Sequence, residues 1–202
     1  MNMKKQIKSG LSWLGIVLIV FICSMFLQSE VFAGATVNQN SMNNTLYPNQ
    51  KMIIDKLSYQ FSEPERGDII VFLKNGEKGS VADEMLRNLE LFTNKFLKSK
   101  EIYAKHEMLV KRVIGVPGDV VDIRDGYVYV NGIKLIEDYA KGATYAGVVE
   151  VPVTVDENQL FVLGDNREVS IDSREFGPVN YEKLEGKAVF RIFPLNKIGK
   201  ID

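Results

Sequence analysis

The sequence has few of the residues on which most catalytic and metal sites depend. It contains one cysteine, Cys23, and one histidine, His106, in 202 residues. A single cysteine excludes an intrachain disulfide and a multi-thiolate metal site, and a single histidine excludes a site with several imidazole ligands. Any Ser-His-Asp scheme would depend on His106 alone, so a mechanism without histidine has to be considered. We expect no metal ion and no other cofactor.

Net charge of either sign is also nearly absent. The chain has 25 Lys and Arg against 26 Asp and Glu, a formal net charge of −1. No overall field attracts nucleic acid, which is therefore not an expected partner. Because 46% of the residues are hydrophobic, the chain can form one sizeable core in addition to one apolar segment.

A long apolar run lies near the N-terminus. Residues 11–27 are interrupted only by two polar residues, both serines, and lysines precede the run at positions 4, 5 and 8. As a helix the run spans roughly 26 Å, and the adjoining residues up to Ala33 bring it to the ~30 Å of a bilayer core. The positive-inside rule places the lysines in the cytoplasm. The predicted layout is a cytoplasmic N-terminus (1–10), a single-pass anchor in the cell membrane (11–33) and an extracytoplasmic domain (34–202).

A cleavable signal peptide is the alternative for this segment. Val31 and Ala33 place small or compact residues three and one before a candidate cleavage site. The apolar run is longer than the usual 7–15-residue core of a signal peptide, and the polar residues 28–30 intervene. These features favour an uncleaved anchor, although retention of the anchor in the mature protein stays open.

Beyond the apolar segment, short β-branched runs alternate with turn residues. The pattern is typical of strands, and it shows no alternation of strands with helices. We therefore expect a mainly β fold, with an antiparallel sheet domain behind one N-terminal transmembrane helix. The predicted strands are Met52–Asp55, Asp68–Leu73, Met108–Ile114, Val120–Arg124, Tyr127–Val130, Ile133–Ile136, Gln159–Leu163 and Lys187–Phe193.

Two segments add detail to this domain. Asp125-Gly126 and Asn131-Gly132 both tolerate the positive φ of a type I′ turn, and they predict tight hairpins within a β-hairpin extension over 120–158. Over 81–100, apolar residues recur at three- and four-residue spacing, which predicts an amphipathic helical insertion. The insertion could pack on the sheet or bind a partner or a membrane surface, and both alternatives stay open.

Lys111 is an unusual residue, because it lies between apolar neighbours in a predicted strand. Most strand lysines point to solvent, and this is the simplest interpretation. If Lys111 is buried instead, its pKa falls because the ammonium loses hydration, and a neutral lysine can act as a general base near pH 7 to 8. Lowering the pKa from ~10.4 to about 7.4–8.4 corresponds to roughly 3–4 kcal/mol of preference for the neutral amine, which the surrounding structure must supply.

Four polar clusters, in this order along the chain, resemble the motif boxes of type I signal peptidases. They are SMNNTL from Ser41, RGDIIVF from Arg66, KRVIGVPGD from Lys111 and GDNREVSIDSREFG from Gly164. The resemblance is to the Gram-positive members with one N-terminal anchor, and it extends from the anchor to about Gly177. It implies a signal-peptidase-type β domain, bound to the lipid bilayer, that removes signal peptides from exported preproteins. It further implies cleavage after small residues at −3 and −1.

The resemblance also implies individual roles. Ser41 matches the nucleophile, Lys111 the general base, and Ser170 the hydroxyl that holds the lysine amine. The backbone N–H of Ser41 would be one oxyanion donor, a contribution worth ~3–4 kcal/mol in other acyl-transfer enzymes. The structural charge positions are Arg112, Asp172 and Arg174. The positions that line pockets for small substrate side chains are Val37, Met42, Leu46 and Val110.

Two positions depart from the family pattern. Asn44 stands where proline is common, and Gln39 stands two residues before the nucleophile, where serine or glycine is common. Gln39 is therefore only a candidate for the second oxyanion donor. The alternative function is a non-catalytic assembly factor for surface proteins that uses the 81–100 insertion to bind its partner. A self-cleaving Ser/Lys protein of the repressor type would need a DNA-binding module, which the sequence does not offer.

Overall fold

The computed structural model describes residues 13–24, 31–74 and 108–201. Residues 13–24 form a helix, α1, with exposed side chains. Among the described residues, no helix is both long enough and apolar enough to cross a membrane. The anchor predicted over 11–33 stays a prediction, and the structure places its last two residues in a strand that begins at Phe32. The insertion predicted over 81–100 lies outside the described residues.

The larger of two compact units consists of Ala33–Lys78 and Ile102–Asp202. It contains two β-sheets. The larger sheet has the order β1-β2-β11-β3-β4-β9-β10, and β12 pairs with β11. Its strands are β1 (Phe32–Thr36), β2 (Lys51–Asp55), β3 (Ile69–Leu73), β4 (Met108–Gly115), β9 (Gln159–Leu163), β10 (Val179–Asn180), β11 (Leu184–Phe193) and β12 (Gly199–Lys200).

The smaller sheet has the order β7-β6-β5-β8. Its strands are β5 (Val120–Arg124), β6 (Tyr127–Val130), β7 (Ile133–Lys134) and β8 (Val153–Thr154). Two short helices, α2 (Ser58–Phe61) and α3 (Ser173–Phe176), follow β2 and β9. The prediction of a mainly β, antiparallel fold is confirmed.

Strand β4 separates two hydrophobic clusters of the larger sheet. Leu109 and Val113 pack in one cluster with residues of β3 and β9, whereas Val110 packs against the other cluster, which contains Met42 and Leu46. Successive side chains of a strand point to opposite faces, so this division follows from the sequence. Both faces of the central strands are covered, and β3 is accordingly an unbroken apolar run whose five residues are all buried.

The hairpins turn where the sequence predicts. Asp125 and Asn131 both have φ of 54°, as the first central residue of a type I′ turn requires. The strand predicted over 133–136 is wrong beyond Lys134, where β7 ends, although Leu135 N–H still donates to the carbonyl of Val128 in β6 over 2.9 Å. Ile136 is 88% exposed.

Gly186 offers a test of the register of β11. The register between β11 and β3 shifts at this residue, its φ is +155°, and a Cβ there would lie 2.3 Å from the carbonyl oxygen of Asp55. We expect Gly186→Ala to lower the free energy of unfolding by roughly 1–3 kcal/mol, measured by chemical denaturation. Gly199→Ala is the matched control, because a Cβ there meets no atom within 4 Å. Equal losses in the two variants would contradict this register.

Candidate active site

A serine and a lysine meet beside β4. The Nζ atom of Lys111 lies 2.7 Å from the Oγ atom of Ser41. Lys111 is 1% exposed and Ser41 is 8% exposed, so bulk water is largely excluded from the contact. The buried alternative for Lys111 is therefore the one that the structure adopts. At this distance the amine, once neutral, can accept the proton of the serine hydroxyl.

The turn that carries Ser41 is fixed on both sides. Met42 and Leu46 are buried in the hydrophobic cluster below it, and Leu46 N–H donates to the carbonyl of Met42 over 2.7 Å. On the other side, Asn166 N–H donates to the carbonyl of Ser41 over 3.0 Å, and Asn166 Nδ2 donates to the carbonyl of Asn40 over 3.0 Å. The backbone of the nucleophile position is thus bound to the loop that follows β9.

The surroundings of Lys111 favour its neutral form. Burial lowers the pKa of the amine to about 8; the carboxylates of Asp172 and Asp165 act in the opposite direction, and the guanidinium of Arg174 acts in the same direction. Loss of hydration is the largest of these effects. Near pH 8 a large fraction of Lys111 is therefore available as a base.

Two buried ion pairs hold the loop after β9. Arg112 binds Asp165 through Nε and Nη2, each at 2.9 Å, and Arg174 binds Asp172 through Nε at 2.8 Å and Nη2 at 2.9 Å. Asp172 also accepts from Gly164 N–H over 3.0 Å and caps α3. Such two-pronged pairs fix geometry as well as charge. The three predicted charge positions therefore belong to two separate pairs, and sequence reasoning missed Asp165 as a partner.

Gly164 brings the predicted lysine-orienting residue close to the nucleophile turn. A Cβ on Gly164 would lie 2.2 Å from Ser170 Oγ and 2.5 Å from the carbonyl oxygen of Ser41. The Ser170 hydroxyl is buried and has no hydrogen-bond partner among the described residues. Its predicted bond to the amine of Lys111 is not formed in this structure, and that role stays a prediction.

The four predicted pocket positions lie together in one hydrophobic cluster of the larger sheet. Val37, Met42 and Leu46 are buried, with Val110 half-buried against them. The open space beside Ser41 is a separate cleft of about 400 Å³. Its lining residues are Gln39, Asn40, Ser41, Lys74, Leu109, Val169, Ile171 and Phe176. Gln39 thus shares this cleft with Ser41, and the four apolar lining residues are ones that sequence reasoning missed.

The segment after β7 contacts the site in a way that no motif signalled. The Tyr139 ring stacks on the guanidinium of Arg112, with 4.0 Å between the guanidinium carbon and the ring centroid. The carbonyl of Tyr139 accepts from Asn44 Nδ2 over 3.0 Å. Glu137 binds Arg167 at 2.6 and 3.0 Å. The segment after β7 therefore contributes to the position of both the nucleophile turn and β4.

The described residues contain no group of three or more His, Cys, Asp or Glu side chains that could hold a metal ion. The charged side chains around Ser41 and Lys111 are instead engaged with each other, as in the pairs of Arg112 and Arg174.

Asn44 tests the geometry of the nucleophile turn. Its φ is +104°, which proline cannot adopt because its ring fixes φ near −65°. We expect Asn44→Pro to lower the free energy of unfolding by about 3 kcal/mol. Asn44→Gly keeps the φ and loses only the bond to Tyr139, so it should cost about 1 kcal/mol. Thermal unfolding compares the two variants, and a tolerated proline would show that this turn is wrongly placed.

Comparison with known proteins identifies the family. The model of the family "Signal peptidase, peptidase S26" matches residues 10–193. Probable signal peptidase I-2 of Synechocystis sp. is 37% identical over 180 residues, 88% of this chain and 71% of that protein. Signal peptidase I of Bacillus licheniformis is 30% identical over 199 residues, 94% of this chain and 92% of that protein.

A crystal structure of signal peptidase I from Enterococcus faecalis V583 is 31% identical and covers 62% of this chain and 97% of that one, with a TM-score of 0.41. The family model and the sequence relatives, rather than this superposition, make the assignment. They confirm the predicted resemblance to signal peptidases. The chain belongs to the signal peptidase family, peptidase S26.

Proposed function

We propose that this chain is a serine endopeptidase that removes signal peptides from exported preproteins. The curated relatives are signal peptidases, and the family match includes every residue of the candidate site. One observation supports the mechanism most strongly: the 2.7 Å contact between a buried lysine amine and a serine hydroxyl. A non-catalytic assembly factor would not need this contact, whose burial lowers the pKa of Lys111.

The chemistry begins with neutral Lys111. The amine accepts the proton of Ser41 as Oγ attacks the carbonyl carbon of the residue at −1. The oxyanion that forms is stabilised by the backbone N–H of Ser41, with Gln39 as the candidate second donor. The lysine ammonium then gives its proton to the leaving amine, and the peptide bond breaks to leave an ester on Ser41. Water attacks this ester with Lys111 again as base, which releases the signal peptide and regenerates the hydroxyl.

The substrate can bind as an added strand beside β4. Strand β9 pairs with β4 only from Arg112 onward, so Met108–Lys111 have no partner strand on that side among the described residues. Val113 N–H points toward β3, because it donates over 2.8 Å to the backbone carbonyl of Asp68, the residue just before that strand. Because backbone groups alternate between the two edges of a strand, those of Met108 and Val110 point to the open edge. An extended peptide there gains main-chain hydrogen bonds and ends beside Ser41.

The chain is also proposed to be held in the cell membrane by residues 11–33, with its catalytic domain outside the cytoplasm. The apolar run and the three lysines that precede it support this orientation. A protease added outside intact cells should then cut beyond residue 36. Protection of that region until lysis would reverse the orientation.

The helical insertion over 81–100 is proposed to affect the choice of preprotein. Leu73 at the end of β3 pairs with Met108 at the start of β4, so the connecting segment leaves and rejoins the sheet at one place. The pairing of β3 with β4 therefore does not require a long connection, and a deletion of 81–100 can be tested for preprotein choice without cutting either strand.

The nucleophile is tested by Ser41→Ala and the base by Lys111→Arg. We expect both variants to lose processing of a radiolabelled preprotein in membranes, because neither alanine nor a guanidinium can take over the lost role. The control is Lys134→Arg, a conservative change at a lysine that lies over the Tyr127 ring and outside the site. Thermal unfolding checks that each variant folds. Processing by folded Ser41→Ala would refute the assignment.

The pH dependence tests the protonation state. The lysine must lose its proton to act, so kcat/KM should rise with pH and reach half its maximum near pH 8. His106→Ala should leave this rise unchanged, because His106 has no part in the mechanism. A rise that disappears in the histidine variant would show that the base is not Lys111.

A further inference from the structure

One side of the cleft beside Ser41 is an exposed apolar wall. Val169 is 57% exposed, Ile171 66% and Phe176 42%, and Leu109 completes the wall on β4. Single exposed apolar side chains are ordinary on protein surfaces. Here they line the same space as the nucleophile, and the mechanism described above uses none of them.

The wall is held in a fixed arrangement. The carbonyl of Asn166 accepts from Val169 N–H over 3.3 Å and from Ser170 N–H over 3.1 Å. Arg174 Nη2 donates to the carbonyl of Ser170 over 3.2 Å, while its guanidinium binds Asp172. The Ser170 side chain is buried, and its two neighbours, Val169 and Ile171, are exposed. A wall that is preorganised in this way binds with little cost in ordering the loop.

The Phe176 ring is fixed from the other direction. It meets the ring of buried Phe72 edge to face, with 6.3 Å between centroids and 64° between planes. This geometry is a favourable one for aromatic pairs. The contact with Phe72 of β3 therefore holds Phe176 in place, and the exposed part of its ring lines the cleft.

The register of a strand added to β4 decides which substrate side chain meets this wall. Side chains directly opposite each other on paired strands share a face of the sheet. Val110 belongs to the positions predicted to bind the −1 and −3 side chains, and its side chain packs against the cluster that contains Met42 and Leu46. The −2 side chain points to the opposite face, that of Leu109, where the cleft of about 400 Å³ is open.

We propose that this cleft is the subsite for the −2 side chain and that Val169, Ile171 and Phe176 make it select a bulky apolar residue. The inference rests on the proposed function, because positions are counted from the bond that Ser41 attacks. A leucine at −2 buries apolar surface of the wall that a serine leaves exposed to water. An aspartate at −2 binds less well, because its carboxylate loses hydration against the same wall. We expect kcat/KM for leucine to exceed that for serine by about tenfold.

The test uses peptides that differ only at −2, with leucine, serine or aspartate, and a second set that differs only at +1. The double variant Val169→Thr with Ile171→Thr adds two hydroxyls to the wall, keeps the side-chain size at 169 and shortens the side chain at 171 by one carbon. It should reduce the preference for leucine over serine to less than about twofold. The matched control is Val148→Thr with Ile133→Thr, which makes the same two changes at exposed residues outside the cleft and should keep the full preference.

The outcomes separate this inference from the proposed function. Cleavage of all −2 peptides at equal rates would overturn the subsite while leaving the protease intact. A preference that follows +1 instead, and that the double variant removes, would assign the cleft to the other side of the bond and would overturn the −2 proposal. Cleavage of no peptide by the wild-type chain in membranes would contradict the function itself. Thermal unfolding of the double variant, with Val169→Thr alone as a second variant, excludes loss of fold.

Discussion

The burial of the Lys111 amine is the constraint on which the rest of the site depends. A pKa lowered from 10.5 to about 8 corresponds to roughly 3 kcal/mol of preference for the neutral amine. Below about pH 8 both the folded and the unfolded chain hold the proton, so folding bears this whole cost. As the pH rises from about 8 to 10.5 the unfolded chain binds more protons than the folded one, and the cost disappears. At neutral pH this residue therefore destabilises the fold that makes it reactive.

The neighbouring charges are arranged so that this cost is not cancelled. A free carboxylate beside Lys111 would restore the ammonium, but Asp165 and Asp172 are each bound by an arginine. The same pairs fix the loop after β9, which holds the carbonyl of Ser41 through Asn166. Electrostatics and position are therefore set by the same contacts, since each pair both occupies a carboxylate and orders the backbone.

Features of the fold that depend on residues close together in the chain could be predicted from the sequence. Alternation along β4 placed Lys111 on the face of Leu109, and the turn dipeptides located both hairpins of the smaller sheet. The two-residue strands β8, β10 and β12 were missed, because so short a segment carries no period. β1 was missed because its sequence, FAGAT, has small residues with little strand pattern.

Long-range contacts explain the rest. The stacking of Tyr139 on Arg112 and its bond from Asn44 join segments far apart in the chain, and no spacing rule relates them. The proline of the family pattern could not have shown that Asn44 has a positive φ. The apolar wall at Val169 and Ile171 flanks a motif serine, and only the folded loop shows that these side chains face the cleft.

The most direct test of the account is the titration of Lys111 itself, rather than of a rate that depends on it. Labelling lysine side chains with ¹³C at Cε and following the chemical shift of Lys111 by NMR, assigned by comparison with Lys111→Arg, reports the protonation of this one amine. The account predicts a pKa of about 8. A pKa near that of an exposed lysine, ~10.4, would contradict it, because the amine would then be charged when the serine needs a base.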